Sequence, residues 1–322
     1  MLRILTYHRV VADTDPTIAC RSVVSANPET FARQMRYLAQ SGRVVSMERV
    51  VDAITTGESL PTNSVLITFD DAYSDFGKHA WPVMKQYELP TTVFVPTTFA
   101  TSPELGFWWD RLHRAIELAH RPELRLDGLG TLPVRTSEER AKAMKLCSDH
   151  VKTLEHHRAM KFVDEACDAM GGVGESPMPR VHTWDELRTL AKEGVTIAAH
   201  TRTHPILTRL GASECLEEIA GSHADVRREI GHALPVFCYP NGSADERTVE
   251  AVQAAGIVVA FSTNEGANEL GKTNPLLLNR TNVSRRTSAM VLAARLTRIG
   301  TYIDTYRQQR LAHGAVNKAS RA

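Results

Sequence analysis

The chain has 322 residues, 43% of them hydrophobic and 23% charged, enough for a full core as one large domain or two smaller ones. Its 38 Lys and Arg nearly balance 37 Asp and Glu, and a net charge of +1 excludes the broad basic field that a nucleic-acid partner requires. No apolar run approaches a membrane-crossing length, the opening MLRILTYHRV is too short an apolar run for a signal peptide, and five cysteines without a C-x-x-C pair point to a reduced, cytoplasmic protein.

The first strand is expected over 2–6, with Tyr7, His8 and Arg9 at its end. Asn27 caps a helix whose Pro28 sits at the first position, whose Phe31, Met35 and Leu38 recur at helical spacing, and which Gly42 ends. A second helix follows over 46–56. The run Val65-Leu66-Ile67-Thr68-Phe69 reads as a strand buried on both faces, and it ends in two adjacent carboxylates, Asp70 and Asp71. A helix over 75–88 with Pro82 near its start and a strand over 91–95 continue an alternation that argues for a parallel α/β sheet or barrel.

The rhythm breaks between 101 and 180, where no strand is expected. Residues 106–120 (GFWWDRLHRAIELAH) and 137–170 are helical patterns, the second capped by Ser137 with Glu138 and Glu139 in its first turn. This stretch reads as a helical insertion on the loop side of the barrel, where such folds carry their sites. Trp108 or Trp109 could offer a face to a sugar ring, or both could be packed core residues. A capped helix over 183–192 leads to a strand over 194–199, followed by His200-Thr201-Arg202-Thr203-His204-Pro205. A helix over 213–230, strands over 236–239 and 256–261, a helix over 244–255 and a last strand over 276–278 complete the barrel.

From Arg285 onward, Leu292, Leu296, Ile299, Ile303 and Tyr306 form an apolar seam in a segment rich in arginine. It is either a helix packed on the barrel or a basic surface that touches a membrane or a protein partner. The expected organisation is a barrel over 1–285, interrupted by the 101–180 insertion, and a basic amphipathic helix and tail over 286–322.

Two adjacent carboxylates at a strand end cannot both ionise cheaply unless a cation neutralises them. Asp71 with His200 and His204 makes three ligands and leaves a position open for water, the pattern of a catalytic zinc-type site. Pro205 disfavours helical geometry at His204, so the pair belongs on an irregular loop. Asp70 is left beside the ion, free to act as a base.

These residues resemble the polysaccharide deacetylases, metal-dependent esterases that remove N-acetyl groups from amino sugars. The resemblance rests on TFDDAY, on HTRTH and on PVFCYPNG at 235–242, in that order and each after an expected strand. It implies a distorted (β/α)7 barrel, one divalent ion, zinc being the expected one, and a carbohydrate substrate. It also implies a groove formed by Tyr239, Pro240 and Asn241, with a backbone N–H near Tyr239 facing the oxyanion.

Two departures stand out. Cys238 occupies the position of the arginine that pairs with the family's catalytic carboxylate, and Arg280, expected just after the last strand, is either its replacement or an ordinary surface arginine. The family's C-terminal Leu-x-His is absent. Leu5-Thr6-Tyr7-His8 resembles instead the branch that deacetylates poly-N-acetylglucosamine, which makes His8 the candidate general acid. Hydrolysis of another small amide, such as a formamide, and a non-catalytic carbohydrate-binding role are the alternatives.

Overall fold

Short β-rich runs become seven strands: β1 (Leu2–Tyr7), β2 (Ser64–Phe69), β3 (Thr92–Val95), β4 (Thr196–Ala199), β5 (Val236–Cys238), β6 (Val259–Glu265) and β7 (Leu278–Asn282). In the computed structural model, which describes residues 1–297 apart from 173 and 175, together with residue 300, they close into a barrel. Every pairing is parallel and each strand lies beside its neighbours in sequence, with β7 returning to β1. All seven C-terminal ends therefore emerge on one rim. This is the (β/α)7-type barrel that the family resemblance implies, where the alternation of elements alone left a parallel sheet or barrel.

Side chains alternate across each strand with a period of two, and the alternation sorts the core into two layers. Ile4, Leu66, Phe94, Val236, Phe261 and Leu278 fill the barrel interior. Phe94 on β3 meets Phe261 on β6 at a ring separation of 5.4 Å although those strands are not neighbours. The residues between them, such as Leu5, Ile67, Val93 and Phe237, face outward and pack on the surrounding helices.

Several boundaries differ from the expectation. The 75–88 helix is a wide π-helical turn, Phe76–Ala80, running into a helix over Trp81–Gln86, because Pro82 has no N–H to bond the preceding turn. The last strand is not 276–278: Pro275–Leu277 is a 3-10 turn, and the polar Leu278–Asn282 forms β7. Arg280 thus lies inside the strand rather than after it.

The insertion contains strands after all, an antiparallel hairpin of Glu123–Leu126 with Gly130–Pro133. It also holds a helix over Trp108–Leu118 and two more over Ser137–Val151 and His156–Ala169, the first capped by Thr136 rather than Ser137. These elements share a core of their own, built on Leu112, Leu124, Val134, Met144, Val163 and Ala166. Asp110 ties that core to the barrel. Fully buried, it accepts hydrogen bonds from the Tyr73 hydroxyl at 2.6 Å and the Cys20 amide at 3.3 Å, and burial pushes its pKa up to about 6.

At the C-terminal end a helix over Ala289–Arg295 buries Leu292, and Leu296 follows into the same barrel-side core. Arg285 pairs with Asp13 and Arg295 with Glu265. The described part of the seam is therefore barrel packing; Ile299, Ile303 and Tyr306 lie outside the described residues. Among the described residues, no helix is long and apolar enough to cross a membrane.

Candidate active site

The alternation that fills the barrel also builds the site. Continuing the inward positions by steps of two, Leu66 leads to Thr68 and Asp70, Ala198 to His200, Leu278 to Arg280, and Ile4 to Thr6 and His8. The rim is thus the last inward-facing layer, where apolar side chains give way to titratable ones.

Past Asp70 the chain leaves the ladder in left-handed backbone, with φ of 68° at Asp71 and 50° at Ala72. The histidine loop does the same, at 65° for Thr201 and 56° for His204. It is an irregular loop, as Pro205 requires. Such conformations cost of order 1–3 kcal/mol each for residues other than glycine and persist only where the surroundings impose them.

The result is a convergent donor set. His204 Nε2 lies 3.3 Å and His200 Nε2 3.6 Å from Asp71 Oδ1. His200 Nδ1 donates to the Cys238 carbonyl at 2.7 Å, which fixes the tautomer and leaves the Nε2 lone pair facing the carboxylate. Burial, aided by the neighbouring His204, lowers the His200 pKa to about 4, so the ring is neutral and able to ligate. Asp71 Oδ1 is buried and accepts no hydrogen bond among the described residues. An orphaned carboxylate oxygen between two imidazole nitrogens fits a divalent cation.

A second trio, Asp70, His200 and Cys238, also brings ligand-type atoms within 4.8 Å of one another. Two of its members, Asp70 and Cys238, are already committed. Arg280 grips Asp70 with two parallel bonds of 2.8 Å each and donates a third, also 2.8 Å, from Nε to the Ser262 carbonyl. Burial pushes the Cys238 thiol well above its usual range, so it is protonated, 3.7 Å from Asp70. The available set is Asp71, His200 and His204.

Burial alone would raise the pKa of Asp70, but the Arg280 guanidinium outweighs it and holds the carboxyl below the ordinary carboxylate range. Asp70 is a buried carboxylate kept charged.

A cavity of about 350 Å³ opens over this layer. On the barrel side it is lined by His8, Asp70, Asp71, His200, His204 and Asn241. The insertion supplies the facing wall with Trp108, Trp109, His113, Met144, Ser148 and Lys152. His8 is half-buried there, its amide donating to the Ser25 hydroxyl at 2.9 Å. Trp109 is fixed: it stacks on Phe107 at 4.4 Å, sets its edge against His204 at 5.0 Å, and donates from Nε1 to the Tyr73 hydroxyl at 2.9 Å.

Tyr239 and Pro240, expected in the groove, are placed elsewhere. Tyr239 follows Cys238 by one and so points outward, fully buried against Phe237 in the helix-facing core. Its amide is spent on the Phe261 carbonyl at 3.1 Å, so neither side chain nor N–H faces the cavity. Pro240 is buried as well. Arg280, 1% exposed behind Asp70, is the partner of that carboxylate rather than a surface arginine or a substrate contact. Asn241 and Trp108 do line the cavity. Gly242 is obligatory beside them: φ is 65°, and a Cβ there would lie 1.9 Å from Thr263 Oγ1.

The barrel rim thus carries an orphaned carboxylate between two imidazoles and, beside it, a second carboxylate held by an arginine. Residues 57–260 match the family model for polysaccharide deacetylase. The chain belongs to the polysaccharide deacetylase family. A Bacillus subtilis (strain 168) relative with the provisional name polysaccharide deacetylase YxkH is 20% identical over 259 residues, 78% of this chain and 65% of that protein. Among solved structures, the Streptococcus pyogenes deacetylase PplD in complex with acetate superposes with a TM-score of 0.62 at 18% identity, covering 92% of this chain and 98% of the other. IcaB from Ammonifex degensii gives 0.59 at 19% identity, covering 92% and 96%.

Proposed function

We propose that this protein is a metal-dependent deacetylase that removes the N-acetyl group from an amino sugar. The observation that carries the reading is the buried Asp71 Oδ1, free of hydrogen bonds among the described residues and faced by two imidazole Nε2 atoms. Asp71, His200 and His204 would hold one divalent ion, with zinc favoured by the mixed nitrogen and oxygen donors. Such an ion, when bound, supplies Lewis-acid polarisation of the amide carbonyl and a water acidified towards a pKa of about 7.

The chain's own groups do the rest. Asp70, charged and oriented by Arg280, accepts the proton of the attacking water. His8, across the same cavity, gives a proton to the nitrogen as the carbon–nitrogen bond breaks. The products are acetate and a free amine. The similar PplD structure is a complex with acetate.

The cavity, about 350 Å³, is at the small end of ligand sites, commonly about 300–1,000 Å³, and suits a single sugar residue bearing the acetamide. Trp108 would stack on its ring and Asn241 bond its hydroxyls. The five cysteines are all free and buried, which supports a reducing, cytoplasmic compartment and hence a glycan precursor or intracellular glycan as substrate.

The test is metal analysis of the purified chain together with acetate and formate release from N-acetylated and N-formylated amino sugars. One equivalent of zinc and acetate as the preferred product are expected. Preferred formate release makes the enzyme a deformylase; a metal-replete chain that releases neither is a binding protein, and the proposal fails.

A further inference from the structure

The left-handed residues of the histidine loop need something to hold them: within the loop the Thr201 hydroxyl accepts the His204 N–H at 3.0 Å, and from outside it a carboxylate takes hold. Glu218, half-buried on the helix Ala212–Ile230, reaches the loop between the two histidines. Its Oε2 accepts the backbone N–H of Arg202 at 2.7 Å and of Thr203 at 2.9 Å, and its Oε1 accepts the Thr203 hydroxyl at 2.7 Å. Three donors on consecutive residues converge on one carboxylate. Thr201 and His204, the positive-φ residues, flank that grip on either side.

A second strut comes from the insertion. His156, the first residue of the helix His156–Ala169, places Nε2 3.3 Å from the Thr203 hydroxyl oxygen. That hydroxyl has one hydrogen, already given to Glu218, so the imidazole is the donor. The order is His156 to Thr203 to Glu218. The chain of bonds runs from the insertion, across the loop, to the barrel's outer helix.

We propose that Glu218 is the positioning residue of the metal centre. It shapes the backbone that carries His204, and His156 ties the insertion to the same latch. The inference rests on the assignment of Asp71, His200 and His204 as ligands. Groups that orient ligands from behind change metal affinity by about 10–100-fold when removed.

The experiment is a zinc titration of the full chain against a chromophoric chelator. Glu218→Ala should bind zinc about 10–100-fold more weakly than the unaltered chain. Glu218→Gln should stay within a few-fold, because its carbonyl oxygen can take both backbone N–H groups while its amide donates to the Thr203 oxygen, freeing the hydroxyl for His156. Glu217→Ala is the control, since that exposed carboxylate reaches only the Arg202 guanidinium, at 3.5 Å. Should Glu218→Ala not fold, Thr203→Val keeps both backbone bonds and loses the hydroxyl; zinc binding a few-fold weaker is expected.

Zinc affinity unchanged in Glu218→Ala, or in a folded Thr203→Val, overturns the proposal. So does Glu218→Gln falling as far as Glu218→Ala, since charge rather than shape would then be at work. If the unaltered chain itself binds no zinc, or Asp71→Ala binds it equally well, the ligand assignment fails and the inference with it.

Discussion

The barrel and the insertion each contribute one wall of the cavity, and the two walls are built differently. The barrel wall is made largely of titratable groups at strand ends, and its buried members are set in place: Asp70 by Arg280, His200 by the Cys238 carbonyl, with Asp71 facing two imidazoles. The insertion wall mixes aromatic, apolar and polar side chains, Lys152 among them, presented by helices that fold around a separate core. Residues on the barrel wall have fixed directions because the period of a strand leaves them no choice. Those on the insertion wall take their places from helix packing, which tolerates exchange. Under the proposed function the barrel would carry the chemistry and the insertion would shape the substrate, and substitutions on the two sides should fail in different ways.

The largest effects belong to the barrel wall. Asp71→Ala or His204→Ala should abolish turnover and lose the metal together. Asp70→Asn should keep the metal and lose about 10²–10⁴-fold in kcat, because an amide cannot accept the proton. His8→Ala should lose a similar factor in kcat while keeping the metal. Metal content and kcat measured on the same preparations check all three. An Asp70→Asn protein without metal beside an Asp71→Asn protein with it would reverse the two carboxylates' roles, and His8→Ala with near-normal kcat would remove His8 from the reaction.

The same contrast explains what the sequence disclosed. Barrel strands such as Val65–Phe69 announce themselves as compact apolar runs, and the ligand types follow them directly, so Asp70, Asp71, His200 and His204 were legible with the fold. Tyr239 was misplaced because its motif drew attention to the segment, whereas its direction depends on parity: it is one residue past the inward Cys238. β7 was misjudged because Leu276-Leu277-Leu278 is the apolar part, while the strand itself, LNRTN, is polar where it meets the site. The 123–133 hairpin alternates over only four residues a side, too short to stand out among helical patterns. The pairing of Arg280 with Asp70, 210 positions apart, was open to the sequence only through the family resemblance and only as one of two readings, and no local signal could bring His156 to Thr203.

A second, smaller test sets one ion pair from each region against the other. Arg280→Met leaves a buried carboxylate unpaired and should destabilise the protein by about 3–5 kcal/mol. Arg111→Ala breaks the insertion's exposed Arg111–Asp164 pair, 2.6 Å long, and should cost no more than about 1 kcal/mol. The pH dependence sharpens the difference. Burial opposes ionisation of Asp70 and Arg280 more than compensates, so the folded pKa is depressed. The pair's stabilisation is therefore in place above the unfolded value of about 3.9 and fades as pH falls towards the folded one. Without Arg280, burial acts unopposed, the folded pKa rises, and stability should instead decline as pH rises through it, with the acid limb of kcat/KM displaced to higher pH. Denaturant titrations across pH and the rate profile read both; an acid limb that stays in place would detach Arg280 from the base.

The smallest effect is expected from the insertion wall, at Trp108. Its ring is half-buried, lines the cavity, and meets Trp109 edge-on at 5.5 Å. Trp109 is pinned by Phe107, His204 and the Tyr73 hydroxyl, whereas Trp108 leans on the insertion's own core and leaves part of its face open. A stacked sugar would be held equally in the ground state and the transition state, so losing the ring weakens binding without slowing the chemistry. Trp108→Ala should raise KM about 10-fold, equivalent to about 1.4 kcal/mol, with kcat nearly unchanged, and Trp108→Phe should recover most of it. Metal content should stay at the unaltered level in both. If KM holds while Tm falls, Trp108 is packing for the insertion and the sugar is held elsewhere on the wall. If kcat falls with KM unmoved, the insertion acts on the chemistry as well as the shape, and the division between the two walls does not hold.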